Sequence, residues 1–497
     1  MTGAPATAPG GEKNHLSLTI GETTGKVNPN ISDIKAAVLV LSTYKGVYPS
    51  QIVAVLNWTP TANTYTLQDL HAVVANSIGN DTNGYVMSNS VYMDGAGKVV
   101  DTALLSAANI KTTAEDAKAA PIDIYVERTA AKVVLTANGK ITGTANIFDT
   151  QKNSTPVVTV GSPSEMDVYV QLHGWELYND YSTSSLLKNI DTSWEVTGLG
   201  LTWNDIPYYR CYWAQSQTTT LSDRFAWNYT DENKTANGFQ TSYGFAVANA
   251  DDKYATRSTY TYCGENTNQV EGTIDPRTKV ILKGQLMQKK GDNNYEPLEL
   301  ARWYGTEYAG NEALRIAVAN SIKYTLYYLD TESNKYISIA PGDLQCVSGG
   351  LVGAETYEVG FQLSDTGKAK QWYKYSSEKG YEALGDMAEN ANQIATNNYL
   401  KTIEPALLYT NGQTYYFIDI EHLGTAAAKY GVVRNHVYQI DIESIKGYGS
   451  PVYNGFGYIV DFPDVPEYPE EDDGSYVAAK INILSWKVVQ QGVNIVQ

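Results

Sequence analysis

At 497 residues the chain is too long for one ordinary core, and at roughly 150 residues per domain it divides into about two to four. Hydrophobic residues at 43% and charged residues at only 18% exclude a globally disordered polymer. A net charge of −18 repels phosphate backbones and anionic lipid, which excludes nucleic acid and membrane surfaces as partners.

Met1 to Gly11 is small, Pro- and Gly-rich, and reads as a flexible leader. No signal peptide is legible, so the natural start is expected to have been trimmed and Met1 supplied for expression. The first strand follows at once: Leu16, Leu18 and Ile20 alternate with Ser17 and Thr19, the period-2 pattern of a half-buried strand. Gly21 to Asn30, with Gly25, Lys26 and Pro29, is a polar loop open to cutting. Further strands are expected over Ala36–Tyr44 and Gln51–Asn57, then a helix over Thr66–Ile78 with Thr66 as its cap. Ile122–Thr136 is a long β-stretch, and the domain boundary is placed just before it, at 121/122. Strands then dominate: Val157–Val160, Met166–Leu172, Val280–Gln288, Tyr324–Leu329, Tyr415–Ile420 and Val432–Ile442. Helices are expected to interrupt them at Glu307–Ile322 and Glu378–Leu400.

The end of the chain changes character. Residues 463–475, from Pro463 through Pro466, Pro469 and the acids Glu470 to Asp473, form a Pro-rich acidic linker that should be extended and solvated. Beyond it, residues 476–497 are again strand-like: Ile481 and Ile483 flank Asn482, and Val493 and Ile495 flank Asn494. A terminal strand segment on such a leash is expected to stand apart from both sandwiches, the plainer reading being a last strand that folds back on its own domain.

The composition offers little for catalysis. Three cysteines, Cys211, Cys263 and Cys346, make neither a disulfide framework nor a CxxC pair. The five histidines, His15, His71, His173, His422 and His436, lack metal-ligand spacing, and no nucleophile elbow or dinucleotide loop is present. No catalytic, cofactor or metal residues are therefore assigned. Tyrosine is abundant, 39 against 8 Phe, which suits half-buried strand faces and wet interfaces. Trp175, Trp203, Trp213 and Trp227, scattered among tyrosines, motivate one rival reading, a carbohydrate-binding surface lipoprotein. A β-sandwich hydrolase would need two facing carboxylates, and the sequence offers no such pair.

Four stretches resemble the fimbrillin family, the type V pilins of anaerobic Gram-negative bacteria, and above all the shaft subunit of minor fimbriae. They are Leu16 through Lys26 to Leu41; Tyr125-Val126-Glu127-Arg128-Thr129-Ala130-Ala131-Lys132-Val133; Tyr415–Ile420 with Arg434-Asn435-His436-Val437-Tyr438; and Ala479 to Val489. Tyr262-Cys263-Gly264-Glu265-Asn266-Thr267 is a weaker match. The resemblance implies an all-β chain of two transthyretin-like antiparallel β-sandwich domains, residues 27–121 and 122–462, with short helical insertions. It further implies a cell-surface fimbrium, export through the outer membrane as a lipoprotein precursor, and a role in adhesion or biofilm formation. The partners would be identical subunits, a trypsin-like maturation protease, accessory anchor and tip pilins, and a host or bacterial surface ligand.

In that family the first strand fills a groove of its own N-terminal domain until the protease cuts behind it, and the next subunit's C-terminal strand then takes the groove. Here that assigns Leu16, Leu18 and Ile20 to the displaced strand, residues 1–26 to the part removed, and Ile481, Ile483, Val489, Val493 and Ile495 to the donor. Relatives are cut after arginine, yet none precedes Arg128, so the cut is assigned to Lys26, the one basic residue in the loop. No lipid-bearing cysteine stands near the start of this sequence, so the lipoprotein step comes from the resemblance alone. About four to six alternating apolar side chains at about 1.5–3 kcal/mol each amount to on the order of 10 kcal/mol before ordering costs.

Overall fold

Ile31–Val40 opens the described part of the chain as a strand rich in β-branched residues. The computed structural model describes residues 31–40, 50–190, 260–451 and 476–496, less the short stretches 76–78, 81–83, 94–98, 112, 121, 138–145, 151–155, 161, 180, 182, 269–275, 293, 349–357, 387–389, 423–429 and 486–487; for 31–40 and 476–496 it gives the course of the backbone. The chain is all-β, several mostly antiparallel sheets with few helices.

The N-terminal sheet runs Ile31–Val40, Val488–Val496, Ile122–Arg128, Met87–Asn89, Val55–Leu56, with Ile110–Lys111 also paired to Val488–Val496. Its apolar face is Ile122, Ile124 and Val126, buried with Ala103 and Leu105. Beside it a short helix, Leu67–Ala72, begins at a capping box in which Thr66 accepts from the Asp69 amide and Asp69 accepts from the Thr66 amide. The expected helix extended to Ile78, but it stops at Val73, because Val74–Ala75 is drawn off as a strand against Ser184–Ser185.

Two sheets face each other in the next body. One is ordered Tyr260–Gly264, Ala130–Ala137, His436–Lys446, Tyr476–Ser485. The other is ordered Ile147–Asp149, Val168–Tyr178, Lys279–Gly291, Gln413–Asp419, Ser450–Pro451. Alternate residues of both, among them Val133, Leu135, Val170, Trp175, Leu282, Ile418, Tyr438 and Ile440, form one buried cluster, which makes this a β-sandwich. A further seven-stranded sheet carries the helix Gly310–Ile322, whose Leu314 and Val318 are buried.

Three expectations need correction. The change of sheet falls at Thr129 and not at 121/122: Ile122–Arg128 pairs with the N-terminal sheet, and Ala130–Ala137 with the sandwich. The run of strand formers there has no Gly or Pro, and the chain passes from one sheet to the other through a single bend at Thr129. The helix expected from Glu307 starts at Gly310, because Thr306–Ala309 is the second strand of a hairpin with Leu300–Trp303. The two turn residues, Tyr304 and Gly305, both have positive φ, 48° and 71°, as a two-residue hairpin turn requires. Likewise the helix expected over Glu378–Leu400 begins only at Ala391, after the strand Gly380–Ala383.

Candidate functional site: the terminal-strand slot

Val488–Val496 lies inside the N-terminal sheet with neighbours on both edges. On one side it runs parallel to Ile31–Val40, from Ile34 opposite Gln490 to Val40 opposite Val496. On the other it runs antiparallel to Ile122–Arg128, with Val493 opposite Ile122, Gln491 opposite Ile124 and Val489 opposite Val126. All three of those partners, Ile122, Ile124 and Val126, are buried. Near its end Ile495 also stands opposite Ile110. A strand bordered in this way satisfies backbone N–H and C=O groups on two neighbouring strands that would otherwise be bare edges.

The preceding strand, Tyr476–Ser485, belongs to the other body. It pairs antiparallel along the whole of His436–Lys446, with Ile483 opposite Tyr438 and Ile481 opposite Ile440, both partners fully buried. Only Trp486 and Lys487 separate the two strands in sequence. The expectation of a terminal segment standing apart from both sandwiches is therefore corrected: both of its strands are in register within sheets of its own chain. All five residues assigned to the donor are register members of these two sheets. Leu16, Leu18, Ile20 and Lys26 lie outside the described residues, as do the linker 463–475, Trp203, Trp213 and Trp227.

Behind the slot a strap, residues 184–188, joins the two bodies. Ser184–Ser185 pairs with Val74–Ala75, and the Leu186 amide donates to the Val73 carbonyl at 2.9 Å. Lys188 makes an ion pair of 2.6 Å with Glu127, on the strand bordering the slot, and both side chains are buried. From the sandwich side Arg434 grips the same strap. Its Nη2 donates to the Ser185 carbonyl at 2.8 Å and to Ser184 Oγ at 3.3 Å, and its Nη1 to the Leu186 carbonyl at 3.3 Å. Its Nε donates to Glu265 Oε2 at 2.8 Å, and Arg434 is fully buried. A planar guanidinium with several fixed donors suits this task, which an ammonium could not match. Thus Glu127, Glu265 and Arg434, taken from three separated sequence stretches, converge on one strap.

Sequence reasoning missed that convergence, and it missed a second one. His422, His436 and Tyr438 come together in the sandwich core: the Tyr438 hydroxyl lies 2.9 Å from His422 Nδ1 and accepts from the Val433 amide, and the two imidazoles are 5.1 Å apart. Burial pushes the Tyr438 phenol well above its ordinary value, so it stays neutral. No local spacing announces such clusters, because strands distant in sequence bring the residues together. Among the described residues no group of His, Cys, Asp and Glu is placed to hold a metal. Trp175, one of the four tryptophans of the carbohydrate-binding reading, is fully buried in the sandwich core and presents no platform. Cys346 is free, its thiol pushed up to about 11 by burial.

Residues 407–492 match the family model described as major fimbrial subunit protein type IV, fimbrillin, C-terminal. That stretch is similar to the C-terminal part of fimbrillins. The match takes in Gln413–Asp419, Arg434, His436–Lys446, Tyr476–Ser485 and the start of the terminal strand. The chain is also similar to solved structures. One is described as a candidate cell adhesion protein from Parabacteroides distasonis, 14% identical, covering 89% of this chain and 85% of that one, with a TM-score of 0.32. A second from the same organism is 10% identical, covering 88% and 75%, with a TM-score of 0.28. A third, from Bacteroides eggerthii, is 9% identical, covering 94% and 83%, with a TM-score of 0.25. No curated protein matches the chain.

Proposed function

We propose that this fimbrial subunit polymerises by strand exchange, the slot between Ile31–Val40 and Ile122–Arg128 being the acceptor and Val488–Val496 the donor. One observation carries the reading: the last strand of the chain is an interior member of the first sheet, joined to its body through two residues. A position of that kind is the one through which copies swap identical elements at low cost, since the same pairs form within or between chains. Tyr476–Ser485 stays in its own sandwich, so the exchanged unit is the terminal strand alone, with Val489, Val493 and Ile495 in register opposite Val126, Ile122 and Ile110. The part of Ile481 and Ile483 is to anchor the donor to its own sheet.

In this reading Leu16, Leu18 and Ile20 hold the slot in the precursor, and a trypsin-like protease cuts behind them at Lys26. The subunit travels as a lipoprotein precursor to the cell surface, where accessory anchor and tip pilins bound the fibre and adhesion or biofilm formation follows. Electron microscopy after mild trypsin treatment tests it. The unaltered chain should give fibres, and Val493→Asp should give almost none, because it sets a charge in register opposite the buried Ile122. Fibres of normal length from Val493→Asp would sink the assignment of the donor.

A further inference from the structure

We infer that, once the first strand has been cut away, the slot is closed in the free subunit by the chain's own last strand, which makes the mature subunit a self-capped monomer whose assembly is limited by withdrawal of that strand. This rests on the strand-exchange reading and adds the control of the same site. The occupant that must leave is Val488–Val496 of the chain itself, and the partner that replaces it is the same strand of a second copy.

Three observations support it. First, the terminal strand already sits in its own N-terminal sheet, in continuous register with Ile34–Val40 on one edge and with residues 122–126 on the other. Second, the connection is short. Ser485 stands opposite His436 in the sandwich and Val488 opposite Ile31 in the N-terminal sheet, with two residues between. A fully extended chain covers about 3.3–3.6 Å per residue, so the slot lies within roughly 10 Å of the strand's own anchor. A short tether presents its strand at an effective concentration in the millimolar range, above any ordinary subunit concentration. Third, an empty slot would expose two bare strand edges and the apolar row of Ile122, Ile124 and Val126, a state the chain avoids by filling it with what is nearest.

The kinetic consequence is specific. At low subunit concentration the strand returns to its own slot more often than it finds another. At high concentration the rate of fibre growth stops rising, because opening of the monomer, which does not depend on concentration, becomes the slow step.

The test uses a labelled peptide of residues 488–496, read by fluorescence anisotropy, against the trypsin-cleaved full chain and against a trypsin-cleaved chain ending at Ser485, so that Leu16, Leu18 and Ile20 no longer compete for the slot. Amide hydrogen exchange of 488–496 is measured in the cleaved full-chain monomer at two concentrations tenfold apart. Self-capping predicts that the shortened chain binds the peptide at least tenfold more tightly than the full chain, and that protection of 488–496 is unchanged on dilution. Equal binding to both chains overturns self-capping and leaves the slot an acceptor. A shortened chain that keeps its melting transition but takes up no peptide sinks the acceptor itself, and the inference with it. Should the shortened chain fail to fold, exchange decides alone: protection independent of concentration upholds the inference, and unprotected amides refute it.

Discussion

Arg434→Met removes the cation from a buried cluster while keeping much of its volume, and the loss should be large. Arg434 is fully buried, and its one carboxylate partner, Glu265, is 6% exposed. Breaking such a pair by taking one partner away costs about 3–5 kcal/mol, chiefly because the other charge is left in the interior. The substitution also strips donors from the carbonyls of Ser185 and Leu186 and from Ser184 Oγ. For a cooperative unit of about 150–250 residues, each kcal/mol moves the melting temperature by about 2–4 °C, so a fall of about 6–20 °C is expected by calorimetry. Arg434→Lys should fall between, since it keeps the charge but loses the planar fork. The decisive comparison is the double variant Arg434→Met with Glu265→Met, which removes both charges and should recover most of the loss. Amide exchange at 184–188 should quicken in the single variant, because the strap loses its hold on the sandwich. A single variant within about 0.5 kcal/mol of the parent, the range of ordinary surface changes, would refute the account. So would a double variant no better than the single.

Three further outcomes can be measured. The Asp101 carboxylate accepts from His71 Nε2 at 3.0 Å and raises that imidazole above its ordinary 6.5. The pair's contribution is therefore full below pH 6.5 and is lost as pH rises through the raised value, so the melting-temperature gap between the parent and Asp101→Asn should shrink over that rise; a gap that widens would contradict the sign. Ile124→Ala opens a cavity in the N-terminal core beside the terminal strand and should cost about 2–5 kcal/mol by denaturant titration, with faster exchange at 488–496. A Cβ at Gly264 would run into the carbonyl oxygens of Tyr181 and Thr183, so Gly264→Ala should cost about 1–3 kcal/mol, and an unchanged melting curve would show that those carbonyls can move aside.

The parts of this fold legible in the sequence are those governed by local period. Val168, Val170 and Leu172 alternate with Tyr169 and Gln171, and Ile481 and Ile483 flank Asn482, and the strands found there follow. What escaped is register. Nothing in residues 488–496 says that their partners are residues 31–40 and 122–126, because pairing across more than 300 positions leaves no local trace. The two mis-started helices have a nearer cause. Glu307–Ala309 runs without a break into the helical pattern that follows it, but the Tyr304-Gly305 turn folds it onto Leu300–Trp303 before the helix can begin. Arg434 and Glu265 were both quoted as family-like residues, yet a salt bridge between strands so far apart becomes visible only when the sandwich closes.

Thr129 has a mechanical consequence. It is fully buried, its amide and hydroxyl both reach the Val86 carbonyl, at 2.9 and 3.1 Å, and it is the single residue between a strand of one sheet and a strand of the next. There is no slack to take up between the two bodies. A pull applied to the first sheet passes along Ile122–Arg128 and through the single bend at Thr129 into Ala130–Ala137, and arrives at an interior strand of the sandwich as shear, which loads a whole ladder of hydrogen bonds at once instead of peeling them singly. A filament of such subunits would carry tension through its backbone like a rod, and its give would be found only at the joints between copies.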